Sequence, residues 1–349
     1  TGQPYGPAIK DFLPSVHSND LGSFATATDP AKRISGAVVG DWKKSVRTHR
    51  EGPDKEAFDR GYIYGDPRKI NGYSNKMSLV DLMKLGASKT LTSEQVGMLV
   101  KKYDDMAYQF GKNTSARFIG NIEPRFGDVT PMPQIIYLTQ TGQLSDGQCA
   151  ALARAMATAM AQGKEQVLIK NMYTAAAFAL DPASRDFVAK LSRIQSKTGG
   201  QSAFHAGQPT RQVSIQDMVR ELSNSTVSKS LMIDSPGHAM AAGVKVDGGY
   251  KTYYFYDPNH GLANFSSAEA MQKGLEKLTR DKKLQPPYKT HSTDPTKLEF
   301  KVFDHTDDWQ QKNSVFNLDV NSLYSAPLTP SGPQKLSNTQ LRQNLEILH

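Results

Sequence analysis

The chain has 349 residues, enough to bury a sizeable core in one large domain or two smaller ones. Its formal net charge is +8, with 38% hydrophobic and 22% charged residues, a composition typical of a soluble globular protein. No apolar run reaches the roughly 18 residues of a membrane span, and a single cysteine excludes an internal disulfide framework and a cysteine-rich zinc site. No signal-peptide pattern opens the chain. Because it begins with Thr1, we expect a processed product or an excised piece of a longer protein.

The first half of the chain is rich in basic residues. They occur singly and in pairs at Lys32-Arg33, Lys43-Lys44, Arg47, Arg50, Arg68-Lys69 and Lys101-Lys102. The simplest interpretation is a solvated face, and the alternatives are binding to an anionic membrane surface or to an acidic protein partner. Nucleic-acid binding is not expected, because the sequence has no zinc-finger spacing, RNP-like aromatic motif or clear helix-turn-helix pattern.

Helices dominate the predicted structure up to Asn224. Residues 1–75 predict an arm of loops and short helices, such as 29–42, that covers a core without folding alone. Ser78, with Asp81 three residues later, predicts a capped helix start. Gly and Pro mark 113–133 as a loop region, which is followed by a short apolar run. Helical spacing or capping predicts further helices over 93–110, 147–161, 164–179 and 182–196, and from Ser214 after a Gly-rich loop.

After Asn224 the pattern changes from helix to strand. Alternating or β-branched and aromatic runs predict strands over 227–233, 238–246, 250–256, 262–265 and 297–303, with a helix from Ser266 or Ser267 to 278. Asp247-Gly248-Gly249 is a strong hairpin signal between two of them. The order predicts an α+β fold with a helical half and an antiparallel sheet. We expect a basic arm and helical subdomain over 1–130, a catalytic domain over 131–308 and a largely polar tail over 309–349.

The cysteine lies where a nucleophile would be expected. A thiol reacts as the thiolate, which aligned N–H groups at a helix N-terminus and a neighbouring His both favour. The Asp146-Gly147 turn places Cys149 at the start of an Ala- and Met-rich helix. A lone cysteine is more often a buried structural thiol than a nucleophile, so the assignment depends on finding a His and a group that orients it.

His238 and Asp257 supply such a pair. His238 opens an apolar strand, and Asp257 ends the next strand, where Pro258 stops the ladder. Both are about equally far from the hairpin tip, so antiparallel pairing places them opposite or diagonal to each other, roughly 5–7 Å apart between Cβ atoms. The carboxylate can then orient the imidazole, as in a catalytic triad. The alternatives are a satisfied core histidine and a turn-capping aspartate.

An acyl-transfer site also needs donors for the oxyanion. Gln143, six residues before Cys149, and the Cys149 backbone N–H are the predicted donors, with Gln140 and Gln148 as rivals. A surface glutamine is the alternative for Gln143. This chemistry requires neither a metal nor a cofactor, and none is predicted.

These residues resemble the YopT-like branch of papain-fold cysteine proteases. The resemblance rests on Cys149, His238-Ala239 and a strand ending in Asp257-Pro258-Asn259-His260-Gly261, with Gln143 in the place of the oxyanion glutamine. It implies a papain-like fold over 131–308, and within the branch the chain is similar to the "makes caterpillars floppy" effectors of MARTX toxins. Such effectors imply release from a secreted bacterial polyprotein, self-cleavage, action in the host cytoplasm and activation by a host small GTPase of the ADP-ribosylation-factor class.

Three functions therefore remain open on the sequence. The first is a cysteine protease that acts on its own chain, on host proteins or on both. The second keeps the Cys-His-Asp triad but attacks glutamine side chains, as papain-like deamidases and transglutaminases do. The third is a binding module without catalysis, whose basic arm docks a host GTPase or an anionic lipid surface.

Overall fold

A computed structural model describes residues 36–143, 147–284, 288 and 298–331. The described residues form two compact units, the first within Thr1–Asn113 and Gln143–Gly147, the second within Thr114–Gly142 and Gln148–His349. The predicted domain boundaries stay a prediction. The expected helix at 29–42 lies partly outside the described residues. None of the described helices is long and apolar enough to cross a bilayer.

The first unit is helical. Its helices are α1 (Gly36–Glu51), α2 (Lys55–Tyr64), α3 (Leu79–Gly86) and the N-terminal part of α4 (Ser93–Ile122). As predicted, the Ser78 side chain caps α3 by accepting the Asp81 N–H. Helix α1 packs on α3, where a Cβ on Gly86 would overlap the buried Trp42 ring. The arm is thus more regular than predicted, because this tryptophan anchors one helix on another.

The second unit is built around a seven-stranded antiparallel sheet among the described residues. The strand order across it is β1-β6-β5-β4-β3-β7-β2. The strands are β1 (Gly127–Pro131), β2 (Arg211–Ser214), β3 (Lys229–Ser235), β4 (His238–Asp247), β5 (Tyr250–Asp257), β6 (Gly261–Phe265) and β7 (Glu299–Asp304). The two strands that sequence reasoning missed, β1 and β2, are the two edges. Edge strands contain few apolar residues, so their pattern is weak.

Helices cover both faces of this sheet. They are α5 (Gln134–Gln140), α6 (Cys149–Ala161), α7 (Glu165–Ala177), α8 (Pro182–Thr198), α9 (Gln201–His205), α10 (Ile215–Asn224), α11 (Ala268–Arg280) and α12 (Trp309–Lys312). Successive residues of β4 belong to different cores: Ala239 and Ala241 pack with α6–α8, whereas Met240 and Ala242 pack with α10 and α11. The small residues of α6 allow it to lie directly on β4 and β5. The predicted α+β fold, with the cysteine on a helix and the His and Asp on an antiparallel sheet, is confirmed.

The C-terminal residues that the structure describes are not a polar tail. Trp309, Leu323 and Tyr324 are buried in the same core as α6. The Trp309 indole donates to the Thr158 hydroxyl at 3.1 Å, and the Asn171 side-chain amide donates to the Leu323 and Ala326 carbonyls. The few apolar residues of this segment therefore anchor it to the core. Their contribution is not evident from a composition that is mostly polar. The helix considered over 341–348 lies outside the described residues.

Candidate active site

Cys149 is the first residue of helix α6 and is half-buried. Gly147 has a φ of +97°, the left-handed conformation that suits the predicted turn, while Asp146 lies outside the described residues. The amides of Ala151 and Gln148, on either side of the thiol, donate to glutamine side chains, those of Gln195 and Gln134 respectively. As the first residue of the helix, Cys149 has a backbone N–H with no partner inside the helix, so it is suited to a ligand at the helix N-terminus.

His238 and Asp257 are brought together by the predicted hairpin. Gly248 and Gly249 form its two-residue tip with φ of +54° and +90°, the pattern of a type I′ turn. Counting from the tip, Ala241 pairs with Tyr256, which leaves His238 and Asp257 diagonal to each other. The His238 Nε2 lies 2.7 Å from Asp257 Oδ1, and both side chains are fully buried. The predicted hydrogen bond is present because the register is set locally by the turn.

The Cys149 thiol contributes to the pKa of the same imidazole, that of His238. Burial lowers the pKa of His238, but Asp257 and then Cys149 raise it more, and the net pKa rises to about 10. Since Nε2 is engaged by Asp257, Nδ1 is the ring nitrogen left for the thiol. Nδ1 makes no hydrogen bond to a described residue. The helix start and the hairpin end thus converge on one imidazole, held as a cation at neutral pH.

Asp257 is held as an anion by three donors. Oδ1 accepts from His238 and from the Asn259 backbone N–H at 2.9 Å, and Oδ2 accepts from the Tyr288 hydroxyl at 2.6 Å. Burial raises the pKa of this carboxyl, but His238 and the hydrogen bonds lower the pKa by a larger amount. The net pKa therefore falls well below its usual range. A carboxylate fixed in this way orients the imidazole ring.

The pair predicts a stability maximum in mildly acidic solution. The lowered pKa of Asp257 contributes stability that is present above about pH 4 and is lost as the pH falls. The raised pKa of His238 contributes stability that is complete below about pH 6.5 and is lost as the pH rises toward 10. Urea unfolding across this range is expected to show both losses, and Asp257→Asn should weaken both. Equal pH dependence in the variant and the wild type would contradict the coupling.

Tyr288 is a further contact that sequence reasoning missed. It lies 31 residues after Asp257, outside every motif considered. Burial and Asp257 raise the pKa of its hydroxyl well above the usual value, so it stays a donor. Replacing Tyr288 by Phe removes one charge-assisted hydrogen bond and is expected to lower the free energy of unfolding by about 1.5–3 kcal/mol. Chemical denaturation measures this loss, and an unchanged midpoint would argue against the contact.

The predicted oxyanion glutamine stays a prediction. Gln143 is half-buried and belongs to the first unit, whereas Cys149 belongs to the second. Of its rivals, Gln148 is committed elsewhere, because its side-chain amide donates to the Ser192 hydroxyl at 2.9 Å. Gln140 is buried on α5, and its Oε1 has no partner among the described residues. Gln134, which sequence reasoning did not single out, forms hydrogen bonds with the Gln148 backbone N–H and with the Asn259 side chain.

Two other histidines in this unit differ from His238. His260 is buried and stacks on Phe118 with ring centroids 5.0 Å apart. Burial is the largest cause that lowers its pKa to about 4, so it is neutral at physiological pH. His205 forms a second His–Asp pair, with Nε2 2.7 Å from Asp234 Oδ2, and packs on the Phe303 ring. A His–Asp pair alone is therefore not distinctive; the pair of His238 is distinguished by the effect of the thiol on its imidazole.

No group of three or more His, Cys, Asp or Glu within the described ranges is arranged to hold a metal ion. The arrangement at Cys149 instead combines a thiol at a helix N-terminus, an imidazolium and a buried carboxylate. Such a set is suited to nucleophilic attack on a carbonyl followed by proton transfer.

Comparisons with known proteins found a matching family, a related toxin and a similar structure. A family profile described as "Mcf1 protease effector domain" matches residues 42–329. A multifunctional-autoprocessing repeats-in-toxin protein of Vibrio vulnificus is 26% identical over 287 residues, which are 72% of this chain and 5% of the toxin. The crystal structure of PatoxP, a cysteine protease-like domain of the Photorhabdus asymbiotica toxin PaTox, aligns over 90% of this chain and 94% of that domain. Its TM-score is 0.49 at 14% identity.

Proposed function

This chain belongs to the Mcf1 protease effector domain family, and from this premise we propose that it is a cysteine peptidase whose triad is Cys149, His238 and Asp257. The predicted recognition of a toxin effector domain is confirmed at the level of the family. The observation that carries the triad is the buried His238–Asp257 hydrogen bond, on an imidazole whose pKa is raised first by Asp257 and then by Cys149, the only thiol of the chain. A papain-like arrangement of helix and sheet is part of this proposal.

The reaction follows from the positions of these groups. The Cys149 thiolate attacks the carbonyl carbon of a peptide bond, an S–C bond forms, and the carbonyl oxygen becomes an oxyanion. The Cys149 N–H, at the positive end of α6, is placed to stabilise that charge, with Gln143 as the predicted second donor. The C–N bond then breaks as His238 transfers its proton to the leaving amine. Water, deprotonated by His238, hydrolyses the thioester and releases the acid.

His238 has two roles, and Asp257 makes both available. The imidazolium first stabilises the thiolate and then acts as the general acid, whereas the neutral ring serves as the general base for water. Asp257 holds Nε2, so Nδ1 keeps its direction through both steps. The donors to Asp257, from Tyr288 and the Asn259 backbone, keep that carboxylate ionised and in place.

The substrate is a protein, and two sources are proposed. One is the polypeptide from which the chain derives, which would make the activity self-processing, and the other is a host protein. The chain spans about 5% of the length of the Vibrio vulnificus toxin it matches, so secretion as part of a longer toxin and action in the host cytoplasm belong to this proposal. Incubation with host-cell lysate, followed by labelling of new N-termini and mass spectrometry, identifies either source.

The same experiment separates the alternatives. New N-termini in the protein itself or in lysate proteins support the peptidase. Conversion of glutamine to glutamate, or glutamine–lysine cross-links, without cleavage would indicate the deamidase or transglutaminase reaction of a triad of the same kind. A lysate unchanged by the protein, together with a stable complex, would indicate a binding module instead.

The partner predictions rest on the surface of the first unit. Helices α1 and α2 and the turn between them expose basic residues (Lys44, Arg47, Lys55 and Arg60) as well as acidic ones (Asp41, Glu51, Asp54, Glu56 and Asp59). This mixture of charges favours a protein partner over an anionic membrane, because neighbouring acids oppose binding to lipid phosphates. Activation by a host small GTPase of the ADP-ribosylation-factor class remains a proposal, tested by adding the GTP-loaded protein to the lysate assay. Flotation with vesicles that contain or lack phosphatidylserine tests binding to an anionic membrane.

A further inference from the structure

We propose that Gln134 is a positioning residue that ties the start of the nucleophile helix α6 to the turn that carries Asp257. This inference rests on the proposed peptidase function. The Gln134 Oε1 accepts the Gln148 backbone N–H at 2.9 Å, and its Nε2 donates to Asn259 Oδ1 at 3.1 Å. The Gln134 backbone N–H also donates to the Pro258 carbonyl at 2.8 Å.

These contacts reach the triad at both ends. Gln148 immediately precedes Cys149, so a bond to its N–H restrains the first turn of α6. Asn259 donates its own backbone N–H to Asp257 Oδ1 at 2.9 Å. One side chain therefore spans the gap between the thiol's helix and the carboxylate's turn, which are more than 100 residues apart in the sequence.

The chemistry of this position requires a primary amide. A backbone N–H can only donate, so the atom facing Gln148 must be the oxygen, and the amide NH₂ then points at the Asn259 carbonyl oxygen. Gln134 has no exposed surface, so neither bond competes with water, and loss of either leaves a buried polar group unpaired. The arrangement is thus specific and rigid, as positioning requires.

Other contacts restrain α6 in a different direction. The Gln148 side chain donates to Ser192, and the Ala151 N–H donates to Gln195 Oε1; both partners lie on α8. These contacts hold the first turn of α6 against α8, whereas the Gln134 side chain reaches the turn with Asp257 through Asn259. Removing the Gln134 amide should leave the helix folded against α8 while the distance between the thiol and His238 becomes less well defined.

The test uses the rate at which iodoacetamide alkylates Cys149 in the full chain, followed by mass spectrometry from about pH 5 to 9. Cys149 is the only cysteine, so the signal belongs to one site. Gln134→Leu is expected to slow alkylation at least about 10-fold near pH 6, where the thiolate depends on His238, and to converge with the wild type near pH 9, where a thiol ionises unaided. An unfolded chain would give the same profile, because its thiol is an ordinary one. The far-UV circular dichroism spectrum and the thermal unfolding midpoint of the variant must therefore match those of the wild type.

Two further variants complete the test. Thr139→Val changes a buried polar residue on the same helix α5, whose hydroxyl donates to the Ile135 and Ile136 carbonyls of that helix, and should leave the profile within about 2-fold of the wild type. Asn259→Ala removes the acceptor of Gln134 Nε2, and the double variant with Gln134→Leu should be no slower than Gln134→Leu alone, because both break one link. If the two substitutions instead slowed alkylation by the product of their separate effects, Gln134 and Asn259 would act independently, and the proposed link would be overturned. If Gln134→Leu fails to fold, Asn259→Ala carries the test, and a wild-type profile in it would overturn the proposal.

The outcomes separate this inference from the function it depends on. If wild-type Cys149 reacts no faster than free cysteine near pH 6, the proposed peptidase site fails, and the role of Gln134 fails with it. If the wild type is fast and both Gln134→Leu and Asn259→Ala match it, only the positioning role is overturned.

Discussion

Cys149→Ala is expected to abolish every cleavage that the protein produces in host-cell lysate, a loss of at least about 10³-fold in rate. Cys149 is the only thiol in the sequence, and no covalent acyl intermediate can form without it. The expected result covers self-processing and host substrates alike, because both need the same S–C bond. The measurement is the set of new N-termini generated by the wild type but missing from the variant.

The variant is expected to remain folded. The Cys149 side chain is half-buried at the first position of helix α6. Because alanine is a favourable helix residue, the midpoint of thermal unfolding should shift little. Cys149→Ser gives a second comparison with nearly the same shape. If the alanine variant produced the same fragments as the wild type, the assignment of the nucleophile would be wrong.

His238→Ala is expected to slow alkylation of Cys149 near pH 6 by about 10²-fold, and to remove proteolysis to a comparable or greater extent. Burial is the largest single effect on His238 and lowers its pKa, but Asp257 and Cys149 together raise the pKa to about 10. The ring is therefore an imidazolium at this pH and stabilises the thiolate. At alkaline pH the thiolate forms without it, so the difference between the variant and the wild type should shrink.

The matched control is His205→Ala. His205 also lies 2.7 Å from a carboxylate, that of Asp234, and is largely buried in the same unit. Removing it disrupts a His–Asp pair of similar geometry, so the expected alkylation rate is that of the wild type. Equal slowing in both variants would mean that the loss reflects general destabilisation, and the role of His238 as the base would have to be abandoned.

The parts of the site that could be predicted depend on local rules. The hairpin between His238 and Asp257 is set by Gly248 and Gly249 at its tip, and its register follows by counting along two strands. The start of α6 follows from a glycine turn before an Ala-rich segment. In both cases the residues that decide the geometry lie within about ten positions of the residues they place.

The parts that were missed depend on contacts between distant segments. Gln134 is 125 residues from Asn259, and Tyr288 is 31 residues from Asp257. Neither has a local signature, because a buried glutamine or tyrosine in a sequence is the same whether its polar atoms have partners or not. The C-terminal segment at 309–331 was mistaken for a tail for a similar reason: Trp309 and Tyr324 are buried only because α6 and its neighbours provide a surface for them.

The sequence by itself determined that this protein is an α+β chain with one thiol at a helix start and a His–Asp pair on a hairpin. Only the tertiary structure decided that the helix and the hairpin meet, since Cys149 and His238 are 89 positions apart and no local rule joins them. The structure also decided which polar side chains hold that meeting point together, Gln134 between the helix and the turn and Tyr288 on the carboxylate. The physical reason is range: turns and caps act through neighbouring residues, whereas a buried hydrogen bond is favourable only after packing has brought both partners out of water.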